Sequence, residues 1–177
     1  MTASRTGQRG LGWGCCVSSG RGTRDHVIVV GSGVQIRPAG GGDAGAVAVL
    51  AGELAQSFAF SRPKSDLSFP ELPAAADSCL LVAMDGNDCR GYLLGFRHLT
   101  FYANEPVGWA EEILVRGEHR GRGAGRALMG AFERWASDRD CVLVALATRR
   151  AASLYRALGY QELATYLRKM LRDEPTE

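Results

Sequence analysis

The chain begins without any hydrophobic rhythm and acquires one near residue 34. Residues 1 to about 25 are Gly, Ser, Thr and Arg with no apolar period, which predicts a flexible N-terminal extension over 1–25. The sequence "VQIRPAGGGDAGAVAVLAGELAQSF" then predicts a short strand over 34–37. In it Asp43 stands where it can cap a helix whose apolar face runs Val47, Leu50, Ala51 and Leu54. Residues 58–77, "AFSRPKSDLSFPELPAAADS", are punctuated by proline, so an irregular loop with one short helix is expected. Such a loop suits a substrate wall. Next, "CLLVAMDGNDCRGYLLGFRHLTF" reads as a hairpin with strands over 79–84 and 92–101 around the turn Asp85-Gly86-Asn87-Asp88. A further strand over 109–115 precedes a helix over about 125–137 that places Leu128, Phe132 and Trp135 on one face. A buried strand in "CVLVALAT", a short helix over 151–158 and a last strand from 160 to about 169 complete the pattern. The order β-α-loop-β-β-β-α-β-α-β is an α/β arrangement. One domain is expected over 26–172, with a short C-terminal tail at 173–177.

Where the strand ending at Val115 gives way to the helix, "HRGRGAGRALMGAF" sets Gly121, Gly123 and Gly125 at alternate positions among arginines. Two phosphate loops are excluded by spacing. A Walker loop needs Gly-Lys-Ser/Thr, and no lysine lies nearby; a dinucleotide loop counted from Gly123 needs glycine where Arg126 stands. The pair Gly31 and Gly33 fails likewise, because Ile36 holds the third place and no helix opens there. Two readings remain. Glycines at a helix start let the backbone approach an anion, with Arg120, Arg122 and Arg126 adding charge-assisted bonds. Alternatively the stretch is a tight turn with solvated arginines.

Charge and cysteine usage narrow the partners. The formal net charge is +2, but residues 1–26 hold four Arg against one Asp, leaving the remainder with seventeen basic and eighteen acidic groups. A balanced body lacks the basic footprint of a nucleic-acid binder. No apolar run approaches the roughly 18 to 20 residues of a membrane span, and "LGWGCCVSSG" is too short and glycine-rich for a secretory signal. Five cysteines form no CxxC pair and no even framework, which points to free thiols in a reducing compartment. A cytoplasmic protein is expected, with no metal and neither nucleic acid nor membrane as partner.

The run "WAEEILVRGEHRGRGAGRALMGAFERWA" closely resembles the acetyl-CoA-binding core of the GNAT N-acetyltransferase superfamily, whose loop reads Arg/Gln-x-x-Gly-x-Gly/Ala. Arg120, Gly123 and Gly125 occupy the three defined places. Downstream, "TRRAASLYRALGYQE" is similar to that superfamily's late helix, Asn-x-x-Ala-x-x-Leu/Phe-Tyr-x-x-Leu-Gly-Phe. Ala151, Leu154, Tyr155, Leu158 and Gly159 match it, while Thr148 stands where Asn is usual and Tyr160 where Phe is usual. With "VQIRPAGGGDAGAVAVLAGEL" resembling the opening strand and helix, the similarity spans roughly residues 34 to 170. It implies a mixed, mostly antiparallel central sheet with a splayed strand pair, flanked by helices. It also implies acetyl-CoA as cosubstrate and direct attack by a primary amine in a ternary complex, the acceptor being a small molecule or a peptide and the protein a monomer or homodimer. The cofactor would then meet Ile113, Leu114 and Val115, the loop residues Arg120, Gly121, Arg122, Gly123, Ala124, Gly125 and Arg126, and Thr148, Ala151 and Tyr155. A rival reading is a non-catalytic acyl-CoA-binding sensor or partner module.

Acetyl transfer needs an uncharged amine, a place for the developing oxyanion and a proton for the departing thiolate. An aliphatic amine with a pKa near 10 is mostly protonated at neutral pH, so a nearby carboxylate speeds attack by accepting that proton. Glu111 and Glu112 are adjacent on a strand and should point to opposite faces, Glu111 with Trp109 and Ile113. The resemblance ranks Glu111 first as the base and Glu112 second; solvation or pairing with arginine is the alternative for both. It also implies main-chain N–H near Ile113 or Leu114 for the oxyanion, and Tyr155 as the general acid, for which plain packing is the alternative. His98 and His119 have no partner at a useful spacing and are expected at the surface or in loops; Cys79 and Cys141 are expected to be inert core thiols. Asp66, Glu71, Glu105, Glu111 and Glu112 would suit a cationic acceptor if they line the site, or are simply solvated.

Overall fold

The computed structural model describes residues 28–29, 33–55 and 58–171, so the expected extension over 1–25 and the tail over 173–177 lie outside the described residues. Its strands are β1 (Ile28–Val29), β2 (Gln35–Pro38), β3 (Ser78–Asp85), β4 (Asp88–Leu99), β5 (Pro106–Val115) and β6 (Val144–Leu146). The helices are α1 (Ala44–Leu54), α2 (Arg62–Ser68), α3 (Ala124–Ser137) and α4 (Ala152–Ala157). Among the described residues the strands form one sheet in chain order, antiparallel throughout except for the parallel pair β5–β6. This is the mixed, mostly antiparallel sheet flanked by helices that the resemblance implies.

Both faces of the sheet are covered, which is why β3 is apolar at nearly every position. Its Leu80, Val82 and Met84 join Val47 and Leu50 of α1, Tyr92 and Leu94 in one cluster; Cys79, Leu81 and Ala83 join Leu128, Met129 and Phe132 of α3 in the other. Burying each large apolar side chain contributes about 1.5–3 kcal/mol, and Leu50, Leu93, Leu128 and Phe132 are wholly inside. At Gly95 a Cβ would run into the Phe132 ring. The absence of a side chain there lets α3 lie close on the sheet.

Three expectations need correction. Asp43 does not cap α1 with its side chain. Its carboxylate is taken up by the Arg37 cation on β2, at 2.7 and 2.9 Å, and by the preceding Gly40 N–H at 2.7 Å. The strand in "CVLVALAT" shrinks to three half-buried residues, with Val142 and Leu143 exposed. The last strand is absent: 160–171 has no regular structure, and Leu163, Tyr166, Leu167 and Leu171 are exposed. Its apolar residues recur every three or four positions, so no alternating face exists for a sheet to bury.

Candidate active site

The sheet opens where β5 and β6 part. Their ladder consists of Gly108↔Val144, Trp109↔Ala145 and Ala110↔Leu146, after which β6 ends while β5 continues to Val115. On the other edge, β4 pairs Leu94 with Glu112 and Gly95 with Ala110. Glu111 is therefore the extra residue of a β-bulge. This corrects the expected alternation. Ala110, before the bulge, shares the α3 face with Ile113 and Val115 beyond it, and Glu111 Oε2 accepts from Trp109 Nε1 at 2.7 Å.

Beside the opened edge lies a cleft of about 760 Å³. Ala110 to Val115 line it from β5, Arg120, Gly121 and Gly123 to Arg126 from the glycine loop and the start of α3, and Leu146 to Ala151 with Leu154 and Tyr155 from the far side. Of the catalytic and cofactor-contacting residues named from the sequence, only Arg122 stands apart: it is exposed and does not line the cleft. The backbone turns sharply at Gly121 (φ 75°) and at Gly123 (φ 91°), which directly precedes α3. Both lie in the left-handed region that favours glycine, and an added Cβ at either would meet nothing within 4 Å, so the loop is open in front. The first-turn N–H groups of Ala124, Gly125 and Arg126 have no acceptor within the helix and carry the positive end of its dipole. Arg120 ties the loop to the end of β5, Nε donating to the Val115 carbonyl at 2.9 Å.

Each proton-handling candidate has a defined setting. Glu112, half-buried, accepts a 2.6 Å hydrogen bond from the Tyr92 hydroxyl, whose proton is held far above the usual phenol range by burial and then by that carboxylate. Among the described residues neither glutamate forms an ion pair with arginine. Tyr155 is buried, which pushes its hydroxyl up from the ordinary value, so it stays a proton donor through neutral pH. Opposite β5, the Thr148 hydroxyl accepts from the Ala151 N–H at 3.1 Å and braces the turn just before α4, which has no side-chain cap of its own.

Several cleft residues were not singled out from the sequence. Glu53 and Leu54 arrive from the C-terminal end of α1, a meeting that only the tertiary topology creates. Glu53 also pairs with Arg116 at 3.1 Å. Arg149 and Arg150 line the cleft too, and their adjacency to Thr148 was the available signal. His119, expected at the surface or in a loop, is half-buried and lines the cleft as well. His98, Glu71, Glu105 and Asp66 are exposed elsewhere, Asp66 pairing with Arg62; of the five acids considered for a cationic acceptor, Glu111 and Glu112 alone reach the cleft. Burial pushes the Cys79 thiol up to about 12 and raises Cys89 and Cys141, and none of the three lines the cleft. No helix among the described residues is long and apolar enough to cross a membrane.

A family model described as the acetyltransferase (GNAT) family matches residues 51–160, more than half of the chain. The chain belongs to the GNAT acetyltransferase family. It is accordingly an acyltransferase. No curated protein matches it in sequence. Among solved structures, a transcriptional regulator from Bacillus halodurans C-125 is 22% identical with a TM-score of 0.71, covering 78% of this chain and 99% of that one. The aminoglycoside N-acetyltransferase AAC(6')-Iy in complex with CoA gives 20% and 0.69, over 79% and 95% of the two chains. Glucosamine-6-phosphate N-acetyltransferase from Arabidopsis thaliana gives 17% and 0.70, over 78% and 99%. At such identities the likeness is one of fold. The matched family segment runs from α1 to Tyr160 and so contains the GNAT chain's opened edge, its glycine loop and α4.

Proposed function

We propose that this GNAT protein binds acetyl-CoA in the cleft between β5 and β6 and transfers the acetyl group directly to a primary amine in a ternary complex. The observation that carries the reading is the convergence on one cleft of a forward-open glycine loop at a helix N-terminus, two carboxylates and a buried tyrosine hydroxyl. A solved structure of the same fold, AAC(6')-Iy, holds CoA. The pyrophosphate fits before Gly121 to Arg126, where backbone N–H groups and the dipole of α3 favour an anion, with Arg126 and the remaining guanidinium donors of Arg120 adding charge. The pantetheine arm then runs along Ile113, Leu114 and Val115 on one side and Thr148 and Ala151 on the other. Unpaired main-chain N–H near Ile113 or Leu114 meets the negative charge that develops on the thioester oxygen.

Glu111 is the first choice to accept the amine's proton, directly or through water, because the bulge turns it out of the ladder toward solvent. Glu112 is second. Tyr155 gives its proton to the departing thiolate. The acceptor is a small-molecule or peptide amine. A calorimetric titration with acetyl-CoA, on the parent and on Gly123→Asp, tests the binding half of this reading. The aspartate sets a side chain and a negative charge against the pyrophosphate and should weaken affinity on the order of 10²-fold. Equal affinity would remove the pyrophosphate from this loop.

A further inference from the structure

The turn after α4 carries a second tyrosine whose hydroxyl the reaction above does not use. Tyr160 stands where phenylalanine would suffice for packing, yet its hydroxyl donates a 2.8 Å hydrogen bond to Glu133 Oε1 on α3, both residues being half-buried. Its ring meets that of Tyr155 edge-on, with centroids 5.8 Å apart and planes at 71°, and its N–H donates to the Tyr155 carbonyl at 3.0 Å. α4 is six residues long and Tyr155 is its one buried residue. So short a helix has little stability of its own, and the aim of its side chains depends on what grips it. Helix α3, by contrast, is fourteen residues long and begins at the glycine loop. The Tyr160–Glu133 bond thus ties the tyrosine side of the cleft to the helix that carries the loop.

We propose that Tyr160, held by Glu133, is a positioning residue that fixes the Tyr155 ring so that its hydroxyl reaches the departing sulfur. The inference rests on Tyr155 being the proton donor. It is tested with the full chain, acetyl-CoA and whichever of spermidine, kanamycin or a lysine peptide the parent acetylates fastest. Tyr160→Phe keeps the ring and should lower kcat roughly threefold to tenfold, with acetyl-CoA KM within about twofold and little change in melting temperature. Glu133→Ala should match it, and Glu133→Gln, whose amide oxygen still accepts, should recover most of the rate. In a Tyr155→Phe background, removing the Tyr160 hydroxyl should cost nothing more, since the group it aims is gone.

A parent rate for Tyr160→Phe beside a slow Tyr155→Phe would overturn the positioning role and leave the acid in place. Full additivity in the double variant would overturn it as well. A parent rate for Tyr155→Phe, or no turnover of any of the three amines, would remove both ideas together.

Discussion

From Pro106 to Ala110, β5 is held on both edges: β4 pairs it on one side, and on the other the β6 ladder is extended by bonds from Val142 N to Pro106 O and from Gly108 N to Leu143 O. Glu111 has no register partner, and from Glu112 to Val115 β4 alone pairs the strand among the described residues. Burial follows the same division, the first half being almost wholly inside and the second half-exposed. One strand thus has a half that makes the core and a half that faces a cleft. An unpaired main-chain group away from water costs about 1–3 kcal/mol, so an opened edge persists only where solvent or a ligand meets it. The bulge at Glu111 marks the change. It turns a carboxylate out of the ladder at the point where the second partner strand is lost.

If that division is real, substitutions in the open half and around the cleft should cost turnover with stability intact, and those in the closed half should do the reverse. The largest effect is expected for Glu111→Gln, whose turnover should fall by roughly 10² or more at unchanged melting temperature and acetyl-CoA affinity. A loss confined to Glu112→Gln would move the base one residue, to the carboxylate that Tyr92 holds. Next, Tyr155→Phe should slow turnover roughly 10-fold to 10³-fold, toward the low side because a thiolate is already a tolerable leaving group, with the deficit shrinking as pH is lowered. Because burial raises that hydroxyl, the parent should show no fall in rate from tyrosine ionisation up to about pH 9.

Gly95→Ala probes the closed half, where the new methyl meets Phe132, and should cost about 1–3 kcal/mol in urea unfolding. Unaltered stability there would show that the sheet and α3 are not packed as described. The smallest effect concerns Asp43, well away from the cleft. The Arg37 guanidinium beside it holds its carboxyl below the usual range, so its contribution is present above the unfolded value near 4 and is lost as pH falls through the lower folded one. Asp43→Asn should be less stable by about 1–2 kcal/mol at pH 7, and the gap should close in acid.

The parts of the fold legible in the sequence were those with a local cause. Apolar runs on either side of the Asp85-Gly86-Asn87-Asp88 turn placed the hairpin, three-to-four spacing placed α3, and the glycines between Arg120 and Arg126 announced a helix start able to take an anion. The rest depends on distance. Nothing in "WAEEILV" reveals that one residue is extra to the ladder, because a bulge is a property of two strands in register. Glu53 and Leu54 enter the cleft only once α1 is laid across the sheet. Asp43 was read as a cap because capping is local, whereas its partner Arg37 lies on another element. After Tyr160 the apolar residues recur every three or four positions, which offers no alternating face to a sheet, and no strand forms there.

The central claim, that the opened edge of β5 is a site of acetyl transfer, is tested most directly by following thiol release from acetyl-CoA over a panel of primary amines, with mass spectrometry of the products. The account expects CoA release that depends on the amine, one acetylated amine formed per thiol freed, and loss of that release in Glu111→Gln. Acetyl-CoA binding with no amine-dependent release across the panel would contradict it.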